Sequence, residues 1–378
     1  MLKNYFISIL IFSLFSCAKK ENIIPFQTTV QPFNWPSWNI LKQNYRSFHK
    51  QGDKIIFYEP VQHRFLHLNL ENHLLDSVKL EFNGPNGIGE VSQFYHVNKD
   101  TILALDPTGQ IYILDDLGNL KKHLNLIGLQ ESFNGDIYAN FPDLGFTNKL
   151  IYLPKKNSLL IYHQKFDDEK EKNIFSLINL NTGTIEVLPI RYPENISSGK
   201  INPYLLDLEV EIHDDGFFWI FSGDPTLYKY SFKERKIFTS VILPNFSKTW
   251  SDPPSLKTTE NNEIRSFIRE NPFYGKLIFD PVKRLLYRIS VPPMTYLPDD
   301  QSLYSFNKVF VSIMDENLNL VSQGYLKKEN TYNFNFSFDY KGGLWIAYQE
   351  DLQDDESLIK GDLIQFPKIF GERTSGSN

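Results

Sequence analysis

Cysteine occurs once in this 378-residue chain, and that scarcity removes two common supports at the outset. A single thiol builds neither a disulfide framework nor a cysteine-rich zinc site, so the core must hold itself by apolar packing. No apolar run is long enough for a bilayer-spanning helix; the first, over residues 5–15, stops well short of that length. Net charge is −6 with both signs interspersed, which excludes the basic surface that nucleic acid requires. Catalytic signatures are missing as well. The eight histidines form no His-Glu-x-x-His pair, and Ser197-Ser198-Gly199 lacks the flanking glycine of a nucleophile elbow. The glycines between 84 and 89 precede a strand rather than a helix, so they do not cradle a phosphate. Asp167-Asp168-Glu169 and Asp354-Asp355-Glu356 lack the spacing of a calcium loop and read as solvated loop tips. No metal and no cofactor is expected.

The lone cysteine, Cys17, stands at an informative place. It follows the positive Lys3, the apolar run 5–15 and the tripeptide Leu14-Phe15-Ser16. These residues resemble the lipobox of bacterial lipoproteins, although Phe15 is bulkier than that position usually carries. The resemblance implies that residues 1–16 are a signal peptide removed on export, and that Cys17 is lipidated on its thiol and amino group. Residues 17–23 then form an anchor linker, and the membrane is contacted through this lipid. Ala18 replaces the aspartate that retains many such proteins at the inner membrane, so an outer-membrane anchor is expected. Whether the chain faces the periplasm or the surface stays open, and a plain secretory signal with a chance cysteine is the alternative.

Aromatic residues are abundant: phenylalanine 31, tyrosine 20 and tryptophan 5 make 15% of the chain, a composition suited to half-buried pleated sheets. Short apolar or alternating runs recur between turn residues in groups of four. The outer turn of each group starts near Asn69, Asp115, Asn179, Ser231 and Asp315, at uneven spacing, so the repeat is loosened by insertions. A sixth group, running from residue 333 to 366, lacks its fourth strand. Residues 24–30 are the natural candidate to supply it, which would pair the chain ends and remove an open sheet edge. The fold class is therefore all-β: a six-bladed β-propeller of four-stranded antiparallel blades over residues 24–367, closed by the N-terminal strand, with a flexible tail at 368–378. Seven blades, should residues 243–274 hide strands, and a pair of large sandwiches are the competing architectures. One short helical insertion is expected between Thr259, a plausible N-cap, and Asn271-Pro272.

Along its whole length the chain resembles the uncharacterised bacterial lipoprotein family known as domain of unknown function 4221, of six-bladed propeller type. Cys17, the loop Gly84-Pro85-Asn86-Gly87-Ile88-Gly89-Glu90 and the strand start Gly342-Gly343-Leu344-Trp345 carry that likeness. Asn86 and Ile88 lengthen a loop that is tighter in more distant propeller lipoproteins. The family brings no established activity with it.

Connection lengths say more than any motif. First-to-second and third-to-fourth turns are short, whereas every long segment either joins two units or links second to third strands. Antiparallel geometry sends those two kinds of connection to one end of a propeller, and loops on a rigid scaffold are where binding groups concentrate. The candidate binding face is thus the long-loop end, with Asp136, Arg191, Tyr192, Trp250, Asp252, Glu263, Arg265, Arg269 and Tyr296 as its first suspects. Its aromatics either stack on a ligand or staple a loop to its scaffold. The expected function is a lipid-anchored binding or scaffold module, monomeric, holding an unidentified protein, peptide or glycan. A propeller-type enzyme acting on a glycan, as hydrolase or lyase, is the alternative, with no catalytic residue assignable.

Overall fold

The computed structural model describes residues 26–34, 48–98, 100–125, 150–162, 173–193, 208–243, 272–291, 305–306, 309–326, 332–349 and 358–365. In chain order, strand β1 (Thr28–Asn34) precedes blade one, which contains β2 (Phe48–Gln51), β3 (Lys54–Glu59), β4 (Arg64–Asn69) and β5 (Leu75–Lys79). Blade two holds β6 (Gln93–Asn98), β7 (Thr101–Leu105), β8 (Gln110–Leu114) and β9 (Leu120–Asn125). Blade three holds β10 (Ile151–Leu153), β11 (Ser158–Tyr162), β12 (Phe175–Asn179) and β13 (Ile185–Val187). Blade four holds β14 (Leu208–His213), β15 (Gly216–Phe221), β16 (Thr226–Ser231) and β17 (Lys236–Val241). Blade five is built from β18 (Phe273–Asp280), β19 (Leu285–Val291), β21 (Phe310–Asp315) and β22 (Leu320–Tyr325), with β20 (Ser305–Phe306) in the connection between its second and third strands. Blade six holds β23 (Tyr332–Tyr340), β24 (Gly343–Tyr348) and β25 (Leu358–Gln365), and β1 returns to complete it in the order β1-β25-β24-β23.

Period-two alternation explains why these runs make a ring. In β3, Ile55 and Phe57 face blade six while Ile56 and Tyr58 face blade two; in β15, Phe217, Trp219 and Phe221 face blade three while Phe218 and Ile220 face blade five. Second strands are covered on both faces, which is why they read as unbroken apolar runs. Each adjacent pair of blades shares one apolar core, and the six cores run around the ring without interruption. Blades four and five pack directly through Phe218, Ile220, Tyr274, Leu277 and Leu286, so no seventh blade stands between them. Six blades replace both competing architectures.

Outer turns repeat one piece of side-chain chemistry. Asp115 Oδ1 accepts from the backbone N–H groups of Leu117 and Asn119, and Asp315 Oδ1 accepts from those of Asn317 and Asn319. Asn69 and Asn179 cap their turns in the same way with Oδ1. These short polar side chains satisfy turn donors that the sheet leaves unpaired, which is the reason the outer turn is the clearest ruler in the sequence.

The closing strand sits four residues later than expected, over Thr28–Asn34 rather than 24–30. Burial decides its place. Val30 is exposed, whereas Phe33 is fully buried against Tyr340 and Trp345 with ring centroids 5.1 Å away from each. Pro32 is tolerated because β1 is an edge strand. Strand β20 was not foreseen: two residues pairing with Asn333 and Tyr332 of β23 carry no periodic signal. The expected helix near 259–271, the signal segment, the linker and the tail lie outside the described residues.

Candidate functional site

The strand order assigns the ends of the ring. Long connections leave from β9, β13 and β17 toward the next first strand, and from β11, β19 and β24 toward the third strand of the same blade. All of these strand ends lie on one side. First-to-second turns, such as Gly52–Asp53 and residues 281–284, lie on the other.

Two of the suspected binding residues are described at the long-connection end. Arg191 is exposed and forms a single antiparallel bridge with Asn173. Tyr192 lies 2.9 Å from the Tyr162 hydroxyl through its own, and its ring packs 5.9 Å from Phe221 against the core of blades three and four. Tyr192 therefore staples the start of its connection to the scaffold. Cys17, Asp136, Trp250, Asp252, Glu263, Arg265, Arg269 and Tyr296 lie outside the described residues.

The structure brings together a site that motif reading did not find. A cavity of about 250 Å³ lies on the ring axis, lined by residues from the first strands of all six blades. Gly52 and Pro281, both in first-to-second turns, and Ile212, Phe279 and Asp339, each next to the end of its strand, carry the lining to the short-turn end, while Phe48, Leu150 and Ile151 stand where their strands begin. Apolar walls come chiefly from Phe48, Phe94, Ile278 and Phe338. Four acidic and lysine side chains from four different blades interrupt them: Lys50, Glu211, Lys276 and Asp339.

Lys50 Nζ donates to Asp339 Oδ2 at 2.9 Å, tying blade one to blade six across the ring closure. Burial pushes the Asp339 carboxyl upward, Lys50 pulls it back, and the nearby carboxylates of Asp280 and Glu211 push it up again. Lys276 is 5% exposed; it donates to the Asn335 carbonyl at 2.5 Å, and its Nζ lies 4.9 Å from the Phe48 ring centroid. Two irregularities make room for it. Strand β18 slips register between Tyr274 and Lys276, and its neighbour β23 slips between Asn333 and Ser337. Gly275 lies in the first slip, where a Cβ would stand 2.6 Å from the Phe334 ring. On the opposite wall the His49 ring lies 4.1 Å from that of Tyr95.

A second depression, of about 870 Å³, runs between blades one and two and contains His67, Asp76 and His96. The two imidazoles meet edge to face at 5.2 Å. His96 is held down at about 4 by burial first, then by His67 and Lys54, and burial likewise lowers His67, so both are neutral at neutral pH. Among the described residues no group of three or more histidines, cysteines and carboxylates is set to hold a metal ion.

The four axial charges left a faint trace in the sequence. Each is a charge inside the first strand of its unit, flanked by apolar or aromatic residues in Val210-Glu211-Ile212 and Phe338-Asp339-Tyr340. Nothing in one dimension says that these four units face a common axis.

Comparison with known proteins agrees with this architecture. A member of the DUF4221 family from Bacteroides vulgatus overlays with a TM-score of 0.67 at 14% identity, covering 91% of this chain and 98% of that one. A "putative exported protein" from Bacteroides fragilis overlays with a TM-score of 0.55 at 13% identity, covering 90% and 96%. Among curated proteins none matches the sequence. Residues 29–322 match the family model described as Domain of unknown function (DUF4221), and the chain accordingly belongs to that family.

Proposed function

We propose that this protein is an exported, lipid-anchored module of the outer membrane that works as a monomer and holds a protein, peptide or glycan at the long-connection end of its ring. The observation that carries the reading is one-sidedness. A ring closed by strand pairing and six shared cores is a stiff frame, and every extended connection departs from a single side of it. Stiff frames with elaboration on one side suit recognition, because the frame contributes the ordering that a free loop would have to lose on binding. Export and anchoring rest on the residues before Cys17 and, more loosely, on the description of the Bacteroides fragilis neighbour.

Two measurements test it. Labelled fatty acid should enter the unaltered chain and not Cys17→Ser, and the variant should shift from the membrane to the soluble fraction. Replacing residues 126–149 and 244–271 by short glycine-serine turns should abolish capture of an envelope partner while leaving the unfolding midpoint within a few degrees. Undiminished capture by the shortened protein, or turnover of a glycan in place of stoichiometric binding, would overturn the binding role; absence of label would overturn the anchor.

A further inference from the structure

We propose that His67 and His96, facing each other across the seam between blades one and two, bind a divalent cation of zinc type, with water completing a tetrahedral shell. The depression they line reaches Gln51, Asp53 and Asn98 at the short-turn end, so this site is separate from the face assigned to a macromolecular partner and stands whether or not that assignment holds.

The first argument is placement. His67 stands opposite Ile56 on one side and Asp76 on the other, so all three share the face that Ile56 turns toward blade two. His96 stands opposite Ile102 and shares with Phe94 the face turned toward blade one. The two imidazoles thus meet where strand alternation would otherwise place a further pair of apolar side chains. His96 is only 5% exposed.

The second argument is unmet bonding. His67 Nε2 and His96 Nδ1 are both buried, and neither has a hydrogen-bond partner in the protein. Buried polar groups without partners are rare because they lose hydration and receive nothing in exchange, so a facing pair of them points to a bound water or ion. Both rings are neutral at neutral pH, which is the form that ligates a metal.

The third argument is geometry, and it favours the ion. Zinc sits about 2.0–2.1 Å from a ligating imidazole nitrogen, which puts each ring centroid about 3.2 Å from the metal. Centroids separated by 5.2 Å then subtend about 110° at the ion, close to a tetrahedral angle. A linear two-coordinate ion would hold them more than about 6 Å apart and a square-planar one about 4.5 Å, so the spacing selects zinc over either copper state. Two histidines leave the remaining positions of the shell to water. Charge agrees, since the depression carries Asp53, Asp76 and Asp116 against Lys54 and Lys79. Asp76 acts on His67 from the neighbouring strand and offsets Lys54, which acts on both rings.

Zinc and cobalt(II) titrations of the full chain test the proposal. One equivalent of zinc should bind at micromolar concentration, read by competition with a chromophoric chelator, and cobalt(II) in its place should show the intense visible absorption of tetrahedral coordination. His67→Ala and His96→Ala should each weaken binding at least about tenfold, the loss that even an outer-shell partner of a zinc ligand causes. His123→Ala, on the exposed outer strand of blade two, should leave it unchanged. Should either of the first two variants fail to fold, labelled histidine in the unaltered protein decides: one equivalent of zinc should shift the ring resonances of two imidazoles that contact each other. Binding that survives both substitutions, an octahedral cobalt spectrum, or no binding at micromolar zinc would overturn the proposal. The last result would leave ordered water as the group that satisfies the two rings.

Discussion

Trp345 of blade six donates its indole N–H to the carbonyl of Gln31 at 3.0 Å, joining residues 314 positions apart in the chain. The tryptophan is fully buried, its ring lies 5.1 Å from that of Phe33, and Gly361 passes beneath it. One side chain thus fixes the strand that closes the ring.

Trp345→Phe should cost about 1 kcal/mol by leaving the Gln31 carbonyl unpaired. Phe33→Ala should cost about 3–5 kcal/mol through lost burial and the cavity left behind. Urea unfolding followed by tryptophan fluorescence measures the second, and circular dichroism the first. Removing residues 26–34 exposes the edge of β25 and should drive the protein into aggregates, visible by size-exclusion chromatography.

Gly361 is the companion of that closure. A Cβ there would meet the Ile346 carbonyl and stand 2.5 Å from the Trp345 ring. Gly361→Ala should destabilise by about 1–3 kcal/mol through overpacking, and the loss should shrink in a Trp345→Phe background where the ring is smaller. A double-mutant cycle by chemical denaturation checks the coupling.

Arg288, entirely buried in β19, donates to the carbonyls of Pro225 and Ile242 in blade four and lies 4.6 Å from the Tyr274 ring. Burial lowers its affinity for the proton to about 10, so it stays charged at neutral pH. Arg288→Met preserves length but orphans both carbonyls, and a loss of about 2–5 kcal/mol is expected. The midpoint of thermal unfolding should fall by several degrees, with Arg288→Lys intermediate.

Acid should destabilise the ring. His96 and His213 are held near 4 in the folded protein, below the ordinary 6.5, with burial as the first cause in both. The folded state therefore binds protons more weakly than the unfolded one. Their contribution is complete above pH about 6.5 and is lost as pH falls toward 4. Denaturation midpoints measured across that window should drop, and the slope should flatten in the His96→Gln, His213→Gln double variant.

Much of this architecture was legible beforehand for a simple reason. Blade count, antiparallel order and turn positions follow from period-two runs and from local turn chemistry, such as Asp115 and Asp315 accepting from the backbone two and four residues on. Those are contacts within a few residues, and sequence records them directly. The closing strand was recognised but set four residues early, because Thr28, Thr29 and Val30 mark a strand without marking its end; Phe33 meeting Trp345 and Tyr340 carries it on to Asn34. Strand β20 was invisible, since two residues make no period.

The amino-acid sequence by itself determined that the chain forms repeated four-stranded sheets, that its one thiol follows a short apolar run, and that long connections depart from one end of the units that carry them. Tertiary structure alone decided the axial site. Lys50, Glu211, Lys276 and Asp339 are separated by scores to hundreds of residues and share no motif; ring closure brings them to one cavity. Strand periodicity is a local property of the backbone, whereas convergence on an axis depends on how many blades pack and on which strand seals the circle, and that is settled only by side chains meeting across the whole fold.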